Sequence, residues 1–97
     1  MLDNADIAVL TKVNDLAERY GLKSYDFVAT FKRNGRAYIL DFESPVSGND
    51  LREERFDKML TAIGITVTDR AVLEGSPETI IDALDNALEH APRPRRY

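Results

Sequence analysis

The chain has 97 residues, 43% hydrophobic and 31% charged, with 13 lysines and arginines, 17 aspartates and glutamates, and no cysteine. That length supports one modest core rather than two domains, and the composition excludes disordered and fibrous classes. Without cysteine there can be no disulfide, no thiolate catalysis and no Cys-ligated zinc.

A reducing compartment fits that absence. Residues 1–6 lack the basic start and apolar run of a signal peptide, and no apolar stretch nears the ~20 residues of a membrane span. The expected location is the cytoplasm. Arg93, Arg95 and Arg96 fall in the last six residues, leaving 10 basic against 17 acidic side chains in the other 91, a net charge of −7 beside a tail of +3. An acidic body repels phosphate backbones, which counts against nucleic-acid binding.

Asp3 is placed to cap a first helix over residues 4–20, with Leu2 and Ile7 at hydrophobic-staple spacing. Val9, Val13, Leu16 and Tyr20 recur at helical period, widened by Leu10 and Ala17, and Gly21 supplies a stop. Asn34-Gly35 is the favoured pair of a type I′ hairpin turn. Centring the hairpin there pairs Arg33 with Arg36, Phe31 with Tyr38, Ala29 with Leu40 and Phe27 with Phe42. One face is then aromatic and apolar, and the other carries Asp26, Val28, Thr30 and Lys32 against Ala37, Ile39, Asp41 and Glu43. A one-residue slip would put the aromatics in water, so the faces are well specified.

Residues 44–49 read as a loop, with Asn49 or Asp50 capping the next helix. Phe56, Met59, Leu60 and Ile63 form a narrow stripe on that helix, which ends at Gly64. Ile65-Thr66-Val67-Thr68 alternates as a short strand, continuing through residues 71–73 or turning at Asp69-Arg70. Ser76 caps a last helix, with Pro77 at its first position and Glu78 at the positive pole. Ile80, Ile81, Leu84, Ala87 and Leu88 face inward. His90 lies at the C-terminal end, and Pro92 stops the helix.

The resulting fold class is α+β, in the order α-β-β-α-β-α. Its sheet is mainly antiparallel with three strands, or four if residues 65–74 form two. Helices pack on the aromatic face as a two-layer sandwich, and a strand-helix-strand link places the third strand beside the first. Residues 1–91 make one domain, and residues 92–97 a basic tail without fixed structure.

Four features invite a functional reading. The hairpin tip, with Lys32, Arg33 and Arg36, could join the tail arginines on a phosphate groove, although no aromatic platform interleaves them. Asp26, Asp41 and Glu43 share a face, and three carboxylates can hold a hard cation, but no alternating ligand loop supports it. Glu78, Asp82, Asp85 and Glu89 form an acidic stripe without basic residues on that face, which costs helix stability and would suit a cationic partner. Val28, Thr30 and Ile39 lie on the half-polar sheet face left for a partner. A single histidine and the absence of nucleophile-elbow, Walker or Gly-x-Gly-x-x-Gly patterns leave the enzyme case weak.

In order of elements, the opening helix and hairpin resemble the start of a double-stranded-RNA-binding domain. That family continues directly into a third strand and ends in a basic helix, whereas the final helix here is acidic. Small size, acidity and the helix-hairpin opening are similar in outline to bacterial secretion chaperones, which are usually longer and have more strands. The expected function is a non-catalytic protein-interaction or chaperone-like module, working as a homodimer or on another protein, with no cofactor and no membrane. Contact is expected through Val28, Thr30 and Ile39, then Glu78, Asp82, Asp85 and Glu89. A nucleic-acid accessory role and a small metal or enzyme site are the alternatives.

Overall fold

Residues 3–44, 50–66 and 71–93 are described by the computed structural model. Helix α1 (Asn4–Arg19) starts from a capping box, in which the Asp3 carboxylate accepts from Asp6 N–H while Asp6 accepts from Asp3 N–H. Its end is a Schellman motif. Gly21 at φ +74° lets Leu22 N–H reach Ala17 O and Gly21 N–H reach Glu18 O, satisfying carbonyls that a helix end leaves open. Helix α2 (Asp50–Ile63) closes the same way around Gly64. Helix α3 (Pro77–His90) is capped by Ser76, whose hydroxyl accepts from Thr79 N–H. Of the expected staple, Ile7 is 52% exposed, and Leu2 lies outside the described residues.

Strands β1 (Val28–Asn34), β2 (Ala37–Glu43) and β3 (Ala71–Gly75) form one antiparallel sheet in the order β1-β2-β3. The expected α+β order of elements holds. The hairpin, however, closes one residue later than the sequence suggests. Asn34 pairs with Ala37, so the two turn residues are Gly35 and Arg36. Gly35 has φ +64°, and no described non-glycine residue has positive φ. Glycine first is what a type II′ turn requires, whereas a type I′ turn would need Asn34 at positive φ as well.

Every cross-strand pair therefore moves by two residues, and Arg33 faces Tyr38 instead of Arg36. The physical gain is direct. A like-charge pair is exchanged for a guanidinium 4.9 Å from the Tyr38 ring centroid, which is attractive. An even shift keeps both faces intact.

A second difference concerns the third strand. Ile65 and Thr66 are not in a strand, and Ile65 is buried where it closes the α2 cap. Residues 67–70, including the expected turn at Asp69-Arg70, lie outside the described residues, as do residues 45–49 of the expected loop and 94–97 of the tail. β3 lies beside β2, not β1. Beside β2, Leu73 comes opposite Leu40 and Ala71 opposite Phe42, so β3 extends the apolar side of the sheet over which the helices close.

The helices cover the aromatic face. Phe27, Phe42 and Phe56 of α2 meet with ring centroids 6.1–6.4 Å apart, and Phe31 stacks on Tyr38 at 5.1 Å. Val9, Val13 and Leu16 of α1, Met59 and Leu60 of α2, and Ile80 and Leu84 of α3 close over Leu40 at the sheet centre. α1 packs chiefly on α3. The II′ turn makes a specific demand. Gly35→Ala should lower stability by about 1–2 kcal/mol, while Asn34→Ala stays within about 0.5 kcal/mol, read as urea midpoints at unchanged slope.

Candidate functional site

Residues of even number on β1 and β3, and of odd number on β2, point away from the helices. The register sets them in rows: Val28 beside Glu43, Thr30 beside Asp41 and Val72, and Lys32 beside Ile39 and Glu74. Val28 is 46% exposed, Thr30 is exposed, and Ile39 and Val72 are half-buried. Among the described residues no helix covers this face. The three predicted contact residues, Val28, Thr30 and Ile39, do share it.

Sequence reasoning missed Val72 and Glu74, because it placed the third strand elsewhere. The alternation Ala71-Val72-Leu73-Glu74 was the available signal. Charges stand among the apolar residues, with Lys32 on the edge strand β1, Glu43 on the central strand β2 and Glu74 on the opposite edge β3. Asp41, at the centre of the face, is 7% exposed, and Lys32 Nζ lies 3.8 Å from its Oδ2.

The other candidates are scattered. Asp26 does not join Asp41 and Glu43 on the outer face. It precedes β1 in a turn where its N–H donates to Lys23 O, and its Oδ2 accepts from Lys23 N–H at 2.7 Å. Asp26 is 5% exposed, and its Oδ1 lies 3.3 Å from Arg52 Nη1 on α2. A short acidic side chain that can bond its own turn serves the backbone there rather than a cation. Among the described residues no group of three metal-ligating side chains is gathered.

Glu78, Asp82, Asp85 and Glu89 are all exposed on α3, but the stripe is not without a cation. Lys12 of α1 reaches Asp85 at 2.6 Å, because α1 and α3 pack side by side. Neutralisation comes from another helix, which periodicity within α3 cannot reveal. His90 Nδ1 lies 2.9 Å from Asn86 O, one turn back at the helix end.

At the hairpin tip, Arg33 donates to the Tyr38 hydroxyl and lies over its ring. That hydrogen bond, then the charge interaction with Tyr38, holds the guanidinium proton above its ordinary value. Arg33 is thus tied to its own sheet. No helix among the described residues is long and apolar enough to cross a membrane. Compared with known proteins, the chain matches no family model, no curated relative and no solved structure.

The Lys12–Asp85 contact is open to solvent, with side-chain exposures of 31% and 51%. A double-mutant cycle with Lys12→Met and Asp85→Asn should give a coupling of about 0.2–1 kcal/mol. It should shrink when urea unfolding is repeated in about 1 M salt, where the Debye length is only about 3 Å.

Proposed function

We propose that this domain is a non-catalytic protein-interaction module, working in the cytoplasm, that pairs with a second copy of itself through the outer face of the sheet. One observation carries the reading: among the described residues the three helices lie on the aromatic side, leaving Val28, Ile39 and Val72 grouped around Asp41 on the opposite face. The charges on that face make it self-complementary. Lys32 on one side and Glu43 and Glu74 on the other would meet their opposites across a two-fold axis, as an isologous interface requires. The missing cysteines fit a reducing compartment.

Size sets the strength. Two strands of seven residues, a third of five and three-strand width give a face of at most about 23 Å by 14 Å. That is small against the roughly 800 Å² per partner of a stable interface. The pairing is therefore transient, and the acidic stripe of α3 remains outside it.

Sedimentation over about 10 µM to 1 mM protein, the range of a weak complex, tests the reading. The average mass should rise from 10.9 kDa towards twice that value. Val28→Thr with Ile39→Thr, which keeps β-branched side chains, should abolish the rise while leaving far-UV circular dichroism unchanged. A wild-type mass that stays at the monomer value throughout refutes self-pairing.

A further inference from the structure

A second surface lies where α1 ends, α2 passes and the chain leaves α3. It is a groove of about 700 Å³ whose walls include Arg19, Lys23, Arg55, Lys58 and Arg93. Two carboxylates, Asp15 and Glu18, also line it. Five cations against two anions make it net positive in a chain of net charge −4. The cations come from four places in the sequence, so no single run of charge announces them.

Helix dipoles account for part of this. Arg19 and Lys23 stand near the negative pole of α1, where cations are favoured. Arg55 and Lys58 lie in the interior of α2, where no such pole exists, and the dipole gives no reason for them. Lys58 has Glu54 Oε1 3.2 Å away, so Arg55, bonded to the Gly21 carbonyl, is the one of the two without a carboxylate beside it among the described residues.

The two arginines are held rather than loose. Arg55 Nη1 donates to Gly21 O at 3.3 Å. The guanidinium lies against Gly21, the residue that ends α1, where a Cβ would stand 3.4 Å from its central carbon. Arg19 Nη1 donates to Pro92 O at 3.4 Å. Its Nε is buried and makes no hydrogen bond among the described residues, with Asp15 Oδ1 3.7 Å away. Lys23 sits on the turn fixed by the Asp26 carboxylate.

We infer that this groove binds a small phosphorylated molecule. A phosphate monoester brings a charge of about −1.5 to −2 and three acceptor oxygens, enough to bridge several cations at once. Planar guanidinium forks match its oxygens in pairs. A single carboxylate offers less, and Arg19 and Lys58 already have one each four residues back, in Asp15 and Glu54. The ligand is small because the groove is bounded and the rest of the body is acidic, which disfavours a long polyanion.

The test is a titration of the full chain, labelled with ¹⁵N, with inorganic phosphate and inorganic pyrophosphate at low salt. Citrate and a single-stranded oligonucleotide are the comparison arms. Saturable shifts should centre on the amides of residues 19–23, 55, 58 and 93, with pyrophosphate binding at least tenfold more tightly than citrate. Arg55→Gln and Lys58→Gln should each weaken binding about tenfold, and Arg55→Lys should do so partly, since it keeps charge without the fork. Arg36→Gln, at the distant hairpin tip, should leave it unchanged. Urea midpoints without ligand establish that each variant is folded. Absence of saturation, equal binding of citrate, indifference to Arg55→Gln in a folded variant, or tighter binding of the oligonucleotide would each overturn the proposal. Because the sheet face is elsewhere, none of these outcomes bears on self-pairing.

Discussion

The meeting of Phe27, Phe42 and Phe56 is the contact on which the rest depends. Two of these rings come from the start of the hairpin's first arm and the end of its second, and the third comes from α2. Three aromatic side chains bury a large share of the apolar area available to so small a core. Their contact decides which face of the sheet is inside. Once it is made, α2 must lie on that face, α1 and α3 fill the remaining width, and among the described residues no helix lies on the other face. One-sidedness follows from the core itself.

The same contact explains what could be read from the sequence and what could not. Parity was legible: alternation puts Phe27, Phe31, Leu40 and Phe42 on one side under any even shift of register. The turn type was not, because Asn34-Gly35 and Gly35-Arg36 are both acceptable hairpin pairs. The choice between them is made by neighbours across the sheet. Arg33 opposite Arg36 repels, whereas Arg33 over Tyr38 attracts. A local motif was thus overruled by a non-local pair, which a dipeptide preference does not contain.

The helices were legible for a simpler reason. Asp3, Gly21, Gly64 and Ser76 mark their ends through hydrogen bonds to the nearest turns, so the signal and its effect lie within a few residues. The third strand was harder. Its place beside β2 is decided by packing, which the local sequence does not contain. Leu73 opposite Leu40 and Ala71 opposite Phe42 complete the apolar face. The consequence was local: Val28, Thr30 and Ile39 were placed on one face of the sheet, but Val72 and Glu74, which share that face, were not.

Charge divides the surface in a way that linear patterning conceals. The acidic stripe of α3 looked isolated because its cation, Lys12, belongs to another helix. The basic groove was invisible because its side chains lie at positions 19, 23, 55, 58 and 93, each unremarkable among its neighbours. Packing gathers them where α1 and α3 both end, so part of their charge offsets two helix poles. Of the remainder, in the interior of α2, Lys58 is balanced by Glu54, whereas Arg55 has no carboxylate beside it among the described residues. Five cations gathered from separate parts of the sequence into one concavity are thus a feature of packing, set against a body of net negative charge.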